Sequence, residues 1–193
     1  MSTAMDRDTV RSPDVERAAQ RLSRPHARVA LIAKRLLDVV LAFAMLVALL
    51  PLLALVVVML TFSGDGWLER RVRLGRHGRP VVLSRFRELP GGAFGRFLER
   101  IGTRELPLLF AVLRGKLSFV GPRALPPGTG FGHTGPRRLM APGLIGPAQR
   151  QGADDEDAWL DDAYVESWTL WGDALLLAGR SPKLHHSVSK SSS

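Results

Sequence analysis

Residues 39–62 read VVLAFAMLVALLPLLALVVVMLTF and carry no charged side chain. A run of about 24 residues makes ~36 Å of helix, enough to cross a hydrocarbon core of ~30 Å. A soluble core helix this long and this uniformly apolar would be unusual, so the run reads as membrane-inserted. Pro51 interrupts it. Proline removes a backbone donor and clashes with the preceding turn, so the run bends or breaks there. Two topologies stay open on these residues. One is a kinked spanning helix, since proline is tolerated in lipid. The other is a re-entrant helix–break–helix with legs of about eleven residues, ~17 Å each, reaching mid-bilayer.

The flanks bear on that choice. Arg24, Arg28, Lys34 and Arg35 precede the run, and Arg70, Arg71, Arg73, Arg76 and Arg79 follow it. The positive-inside tendency draws both flanks to the cytosol. A pair that dips in and returns satisfies both; a single crossing satisfies one.

Residues 1–28 are polar and of mixed charge, and are expected to form a mobile arm. Val15–Leu22 has the makings of only a helical turn or two. Asp6, Asp8, Asp14 and Glu16 precede any apolar stretch, which argues against a signal peptide. On the other side, Ser63-Gly64-Asp65-Gly66 is a turn cluster, and Trp67 sits where an interfacial tryptophan belongs. Arg76-His77-Gly78-Arg79 predicts a turn into a short strand beginning at Pro80. Phe94, Phe97, Leu98 and Ile101 recur at helical spacing, with Arg96 and Arg100 among them. That pattern suits an amphipathic helix in the membrane interface or a soluble core helix. Pro107 starts or kinks the segment Leu108–Leu113. Asp154–Asp157 is placed to cap a helix from about Ala158 to Trp168. Residues 181–193 read as a disordered tail.

The whole is therefore an α+β, mostly helical chain: a polar arm (1–28), a membrane helix pair (29–63), a small domain with interfacial helices and a short β element (64–180), and a tail. Its 193 residues carry a net charge of +9. Such basicity favours anionic partners, whether nucleic acid, acidic lipid or phosphorylated substrate. No nucleic-acid motif accompanies it, so nucleic acid is not expected as a partner. The chain has no cysteine, which excludes disulfides, thiol catalysis and cysteine zinc sites. Its five histidines show no metal-ligand spacing outside the His185-His186 pair.

Eight short segments, in order, resemble the bacterial sugar transferase family of monotopic phosphoglycosyl transferases. Lys34-Arg35-Leu36-Leu37-Asp38 is similar to the start of that family's re-entrant helix, and Pro51 to its break. Arg73–Pro80 resembles its Arg-Val-Gly-Arg-x-Gly-Lys-Pro turn, and Arg85-Phe86-Arg87 its Lys-Phe-Arg strand. Gly95–Leu98 with Glu105-Leu106-Pro107 resembles the helix carrying an Asp-Glu dyad. Leu117-Ser118-Phe119-Val120-Gly121-Pro122-Arg123 is the nearest match. Pro142–Gly146 follows in place, and Tyr164–Asp173 resembles the closing Trp-Ser-Leu-Trp-x-Asp helix.

The resemblance implies transfer of a sugar-1-phosphate from a nucleotide sugar to polyprenyl phosphate in polysaccharide or glycoconjugate assembly. It also implies the cytosolic face of the inner membrane with both termini cytosolic, Mg²⁺, and a covalent intermediate on the dyad aspartate. Arginine offers phosphate a planar, multi-donor contact, and Arg73, Arg76, Arg87 and Arg123 are the candidate phosphate ligands. The dyad aspartate position holds Arg104, beside the surviving Glu105. A guanidinium has no lone pair with which to attack phosphorus or bind a metal. Two expectations follow. Either Glu105 or Glu88 serves as nucleophile or metal ligand, or the chain is a catalytically silent paralogue. A silent chain would bind membrane lipid and substrate, partner an active paralogue or a second copy of itself, and use Arg104 to pin a phosphate.

Overall fold

The computed structural model describes residues 13–62, 66–89, 92–128, 135–150 and 158–180. The expected turn at 63–65, the Asp154–Asp157 cap and the 181–193 tail lie outside them, as do residues 1–12.

Helix α1 (Pro13–Ser23) has Asp14 and Glu16 in its first turn and Arg21 in its last, a charge order that suits the helix dipole. Val15 and Ala18 are buried. The helix packs against a 3₁₀ turn (Pro136–Leu139) and a later helix, α7 (Ala158–Glu166), where Arg21 donates to the Glu166 carbonyl at 2.8 Å. The expected arm to residue 28 is therefore corrected from Pro13 onward. Three small apolar positions, Val15, Ala18 and Leu22, suffice to dock a helix whose other faces are charged.

Helix α2 (Pro25–Ala48) starts with proline in its first turn, where the missing N–H costs nothing. Helix α3 (Leu50–Phe62) follows after Leu49, and the axes turn through 63°. The break falls just upstream of Pro51. Pro51 takes the second position of α3 and has no N–H to offer the Val47 carbonyl, so the ladder stops where its ring would have clashed. Within the uncharged run the legs are residues 39–48 and 50–62, close to the expected eleven each, and the first helix continues upstream to Pro25. Neither helix alone is long and apolar enough to cross a membrane; the bent pair meets that test together.

One stripe of α2 at four-residue spacing faces inward: Lys34, Asp38, Ala42 and Leu46. The opposite side exposes Val29, Ile32, Leu36, Val40, Phe43 and Val47. An apolar face of that extent is stable in lipid and not in water. Val56 and Leu60 of α3 are fully buried, in the same core as Ala42, Leu46, Leu83, Phe86, Leu98 and Val112. Both legs thus pack onto one small domain.

That domain begins with an antiparallel hairpin, β1 (Leu68–Leu74) and β2 (Pro80–Phe86), paired from Leu68↔Phe86 to Leu74↔Pro80. His77 at φ 59° and Gly78 at φ 69° make the turn. The strand from Pro80 agrees with expectation. Its partner LERRVRL was unforeseen, because four charges in seven residues hide a strand. Helix α4 (Ala93–Arg100) buries Leu98 and leaves Phe94, Phe97 and Ile101 each 53% exposed. Leu98 thus departs from the face it was expected to share. The three exposed side chains form an outward apolar ridge suited to the interface. A 3₁₀ turn (Thr103–Glu105) leads to α5 (Leu108–Leu113). Strands β3 (Ser118–Val120) and β4 (Gly143–Ile145) pair in parallel. Helices α6 (Pro147–Arg150), α7 and α8 (Leu170–Leu177) complete the described fold.

Candidate functional site: an arginine cleft beside Glu105

Strand alternation puts residues 69, 71 and 73 on one face of the hairpin, opposite 85, 83 and 81. That face is the wall of a cleft of about 280 Å³. Arg71, Arg73 and Arg85 come from the hairpin, Glu105 from the 3₁₀ turn, Arg123 from the loop after β3, and Gln149 from α6.

The loop is held tightly. Gly121 N–H donates to the Ile145 carbonyl at 3.0 Å, and Gly143 N–H to the Pro122 carbonyl at 2.9 Å. The two backbones touch: a Cβ on Gly121 would lie 2.6 Å from the Ala141 oxygen and 2.8 Å from the Gly143 nitrogen. Arg123 is fixed further by its own N–H, which donates to Asp161 Oδ2 at 3.0 Å. Asp161 and Asp162 in turn face Arg137, at 3.3 and 3.5 Å. Burial pushes both aspartates above the usual carboxylate range despite those cations.

Arg104 lies at the edge of this site, about 29% exposed at its side chain. Its Nε donates to the Phe86 carbonyl at 3.3 Å. Its terminal nitrogens face Glu69 at 3.6 Å and Glu88 at 3.8 Å. Glu105 is more open and pairs with Arg85 at 3.3 Å. A hydrogen bond from Arg71 at 2.7 Å holds the Glu69 carboxyl below its usual range, with Arg104 and Arg85 adding to the effect.

Of the residues singled out from the sequence, Arg73, Arg123 and Glu105 meet in the cleft. Arg76 instead lines a different cavity, with its Nε on the Leu139 carbonyl at 3.0 Å. Arg87 is exposed, lines neither cavity, and gives its backbone N–H to Trp67. Arg71 and Arg85, not singled out from the sequence, line the cleft as well. The period of two in a strand holding Arg73 would have found Arg71, and the hairpin register then brings in Arg85.

The donor set does not fit a Mg²⁺ held by the protein. Glu69, Glu88 and Glu105 each face a guanidinium, and the described residues include no group of three metal-ligating side chains. The arrangement suits an anion: several guanidinium forks converge on a half-open cleft.

A second polar cluster anchors the membrane pair. Lys34 Nζ donates to Asp173 Oδ2 at 2.6 Å and to the Val120 carbonyl at 2.8 Å. Tyr164 donates to Asp173 at 2.6 Å, and Trp168 Nε1 at 3.2 Å. Burial, then the neighbouring Asp173 charge, push the Tyr164 hydroxyl well above its usual value. Asp38 accepts from Ser118 Oγ at 2.7 Å and from Phe119 N–H at 3.1 Å. Arg35 caps the Val112 and Leu113 carbonyls at 2.6 and 2.8 Å. Three segments with no evident link in sequence, Lys34–Asp38, Ser118–Val120 and Tyr164–Asp173, are one knot.

Comparison with known proteins identifies the family. The bacterial sugar transferase family matches residues 29–185. An undecaprenyl-phosphate galactose phosphotransferase of Salmonella typhimurium is 28% identical over 75% of this chain and 38% of its own length. A UDP-glucose:undecaprenyl-phosphate glucose-1-phosphate transferase of Caulobacter vibrioides is 30% identical, covering 89% of this chain and 77% of that protein. An uncharacterized sugar transferase of Bacillus subtilis is 31% identical over 76% and 84%. The chain spans less than two fifths of the Salmonella protein's length. With the match running from the start of the membrane face through the last described helix, the chain belongs to the bacterial sugar transferase family.

Proposed function

We propose that this chain works at the cytosolic face of the inner membrane in the transfer of sugar-1-phosphate from a nucleotide sugar to polyprenyl phosphate. The observation that carries this reading is the convergence of Arg71, Arg73, Arg85 and Arg123 on a cleft that holds one carboxylate, Glu105. The donor diphosphate and the lipid phosphate are both anions of the kind such a cleft binds. Relatives named for UDP-glucose and undecaprenyl phosphate supply the proposed donor and acceptor classes.

The re-entrant topology belongs to the same proposal. Both legs of the bent pair pack on one domain, and arginines flank both ends. A pair that crossed the bilayer would leave its ends ~30 Å apart on opposite faces. The domain and the N-terminal helix then share the cytosolic side.

On this reading Glu105, the cleft's carboxylate, takes the covalent step. A carboxylate oxygen forms a bond to the sugar-bearing phosphorus. The phosphoanhydride bond breaks, and the nucleoside monophosphate departs with the electron pair. An oxygen of the lipid phosphate then attacks that phosphorus and breaks the acyl–phosphate bond. Glu105 is regenerated and the sugar leaves on a polyprenyl diphosphate.

One observation favours a second reading. Arg104, at the position where the resemblance implies a nucleophilic aspartate, is tied to Glu69, Glu88 and the Phe86 carbonyl. A guanidinium so placed holds a phosphate and does not attack it. On that reading the chain binds the substrates beside an active paralogue or a second copy.

The test is transfer by the purified protein in nanodiscs, with polyprenyl phosphate, Mg²⁺ and a panel of nucleotide sugars. Wild-type turnover that vanishes in Glu105→Gln supports the first reading. Retained ligand binding without turnover, together with activity gained in Arg104→Asp, supports the second. Failure of wild type to bind either substrate would overturn both.

A further inference from the structure

A second cavity, about 540 Å³, shares only Leu117 with the arginine cleft. It lies among α1, the first half of α2, the hairpin turn and the segment 139–141. Leu22, Leu31, Leu139 and Met140 give it an apolar lining.

Its charged residues sort into two groups. Lys34, Arg35 and Asp38 are committed to the knot at the base of α2. Arg28 and Arg76 are not: neither forms an ion pair among the described residues, and Arg76 spends only its Nε, on a carbonyl. His77 joins them on a turn held at φ 59°, a backbone state that a side chain other than glycine adopts at some cost. Burial and the neighbouring Arg76, Arg138 and Arg79 push its pKa down. Arg28 and Arg76 leave the rim positive, with no carboxylate among the described residues paired to either.

Position narrows the ligand. Arg28 immediately precedes Val29, where the exposed apolar face of α2 begins. With that face in lipid, Arg28 lies at headgroup depth. Among the described residues the cavity's one acid is Asp38, and both of its oxygens are taken, by Ser118 and Phe119. The described residues leave no carboxylate there to meet the ammonium of a zwitterionic headgroup.

The geometry points to a second anion site in this cavity, in which Arg28 and Arg76 hold the phosphate of an anionic glycerophospholipid from the surrounding leaflet. The apolar lining takes the adjoining part of its acyl chains. The site rests on the membrane placement of the helix pair and is independent of whether the cleft is catalytic.

The test is native mass spectrometry of the detergent-purified full chain, titrated with phosphatidylglycerol and, separately, phosphatidylcholine. Phosphatidylglycerol is retained over phosphatidylcholine, and Arg28→Gln or Arg76→Gln each weakens its retention about fivefold. Arg85→Gln, in the cleft, leaves retention unchanged. The Arg28 side chain forms no hydrogen bond or ion pair among the described residues, so that variant folds and the test stands on it alone if Arg76→Gln does not. Equal retention of both lipids, or indifference to Arg28→Gln, overturns the assignment. Displacement by inorganic phosphate would name a free anion as the occupant. Displacement by equimolar polyprenyl phosphate would make the cavity a substrate site. Either result overturns it as well. A failure of the membrane placement looks different, since the protein would then stay dispersed in buffer without detergent.

Discussion

Lys34 and Asp173 lie 139 positions apart and meet at 2.6 Å with both side chains buried. One belongs to the first turns of the membrane pair and the other to the last described helix. Removing either partner leaves a buried charge without its counter-ion, which costs about 3–5 kcal/mol. Lys34→Met should therefore lower the thermal midpoint sharply in nanodiscs. The double variant Lys34→Met/Asp173→Leu should recover part of that loss. A single variant as stable as wild type would show that the pair does not hold the pair of helices to the domain.

Gly143→Ala should be among the most damaging small substitutions. Its Cβ would come within 2.7 Å of the Gly121 Cα, backbone against backbone, with no flexible side chain to yield. Overpacking of that kind costs about 1–3 kcal/mol and moves the loop bearing Arg123. Stability and nucleotide-sugar affinity should fall together, as read by thermal unfolding and calorimetry.

Asp161 and Asp162 set a pH dependence of uncommon sign. Burial raises their folded pKa above the unfolded value of about 3.9. The native state therefore holds more protons than the unfolded state between those values, and stability from these groups declines as pH rises through that window. Above the folded pKa the cost is fully present. Asp161→Asn should flatten that part of a stability–pH curve. A slope unchanged in the variant would assign the effect to other groups.

Arg85→Ala should weaken binding of a UDP-sugar. A hydrogen bond to a charged group contributes about 1.5–3 kcal/mol, or roughly 10- to 150-fold in affinity. Arg87→Ala, two residues away and outside the cleft, should leave affinity unchanged. Equal effects of the two would mean that the cleft is not the site.

The chain has no cysteine, so single introduced cysteines report topology without background. Arg24→Cys and Arg79→Cys, both exposed, should label only after the inner membrane is opened. Labelling of one but not the other in intact cells would mean that the pair crosses the bilayer.

Local chemistry was readable from sequence and long-range pairing was not. The apolar run, the break near Pro51 and the turn at His77-Gly78 follow from composition and backbone sterics within a few residues. Lys34 reads as one more cation of a basic flank, because nothing beside it records an aspartate 139 positions away. Arg73, Arg76 and Arg123 were grouped from the sequence, and Arg73 and Arg123 do line one cleft. The turn after β1 carries Arg76 to the other cavity, and only the register of the hairpin decides that. Helix α1 was expected only as a turn or two, because three apolar side chains are too few to signal burial until their surface is known.

The latch between Lys34 and Asp173 also orders the birth of the molecule. Synthesis proceeds at about 5–20 residues per second, so Lys34 waits on the order of ten seconds for its partner to be made. During that interval the Lys34 ammonium, without its folded partner, and the Asp38 carboxylate lie beside a run of apolar residues already seeking lipid. The nascent chain must keep both wet, which holds the start of α2 near the water boundary while the rest of the run inserts. A stop codon before residue 173 would leave the cation without its acid for good.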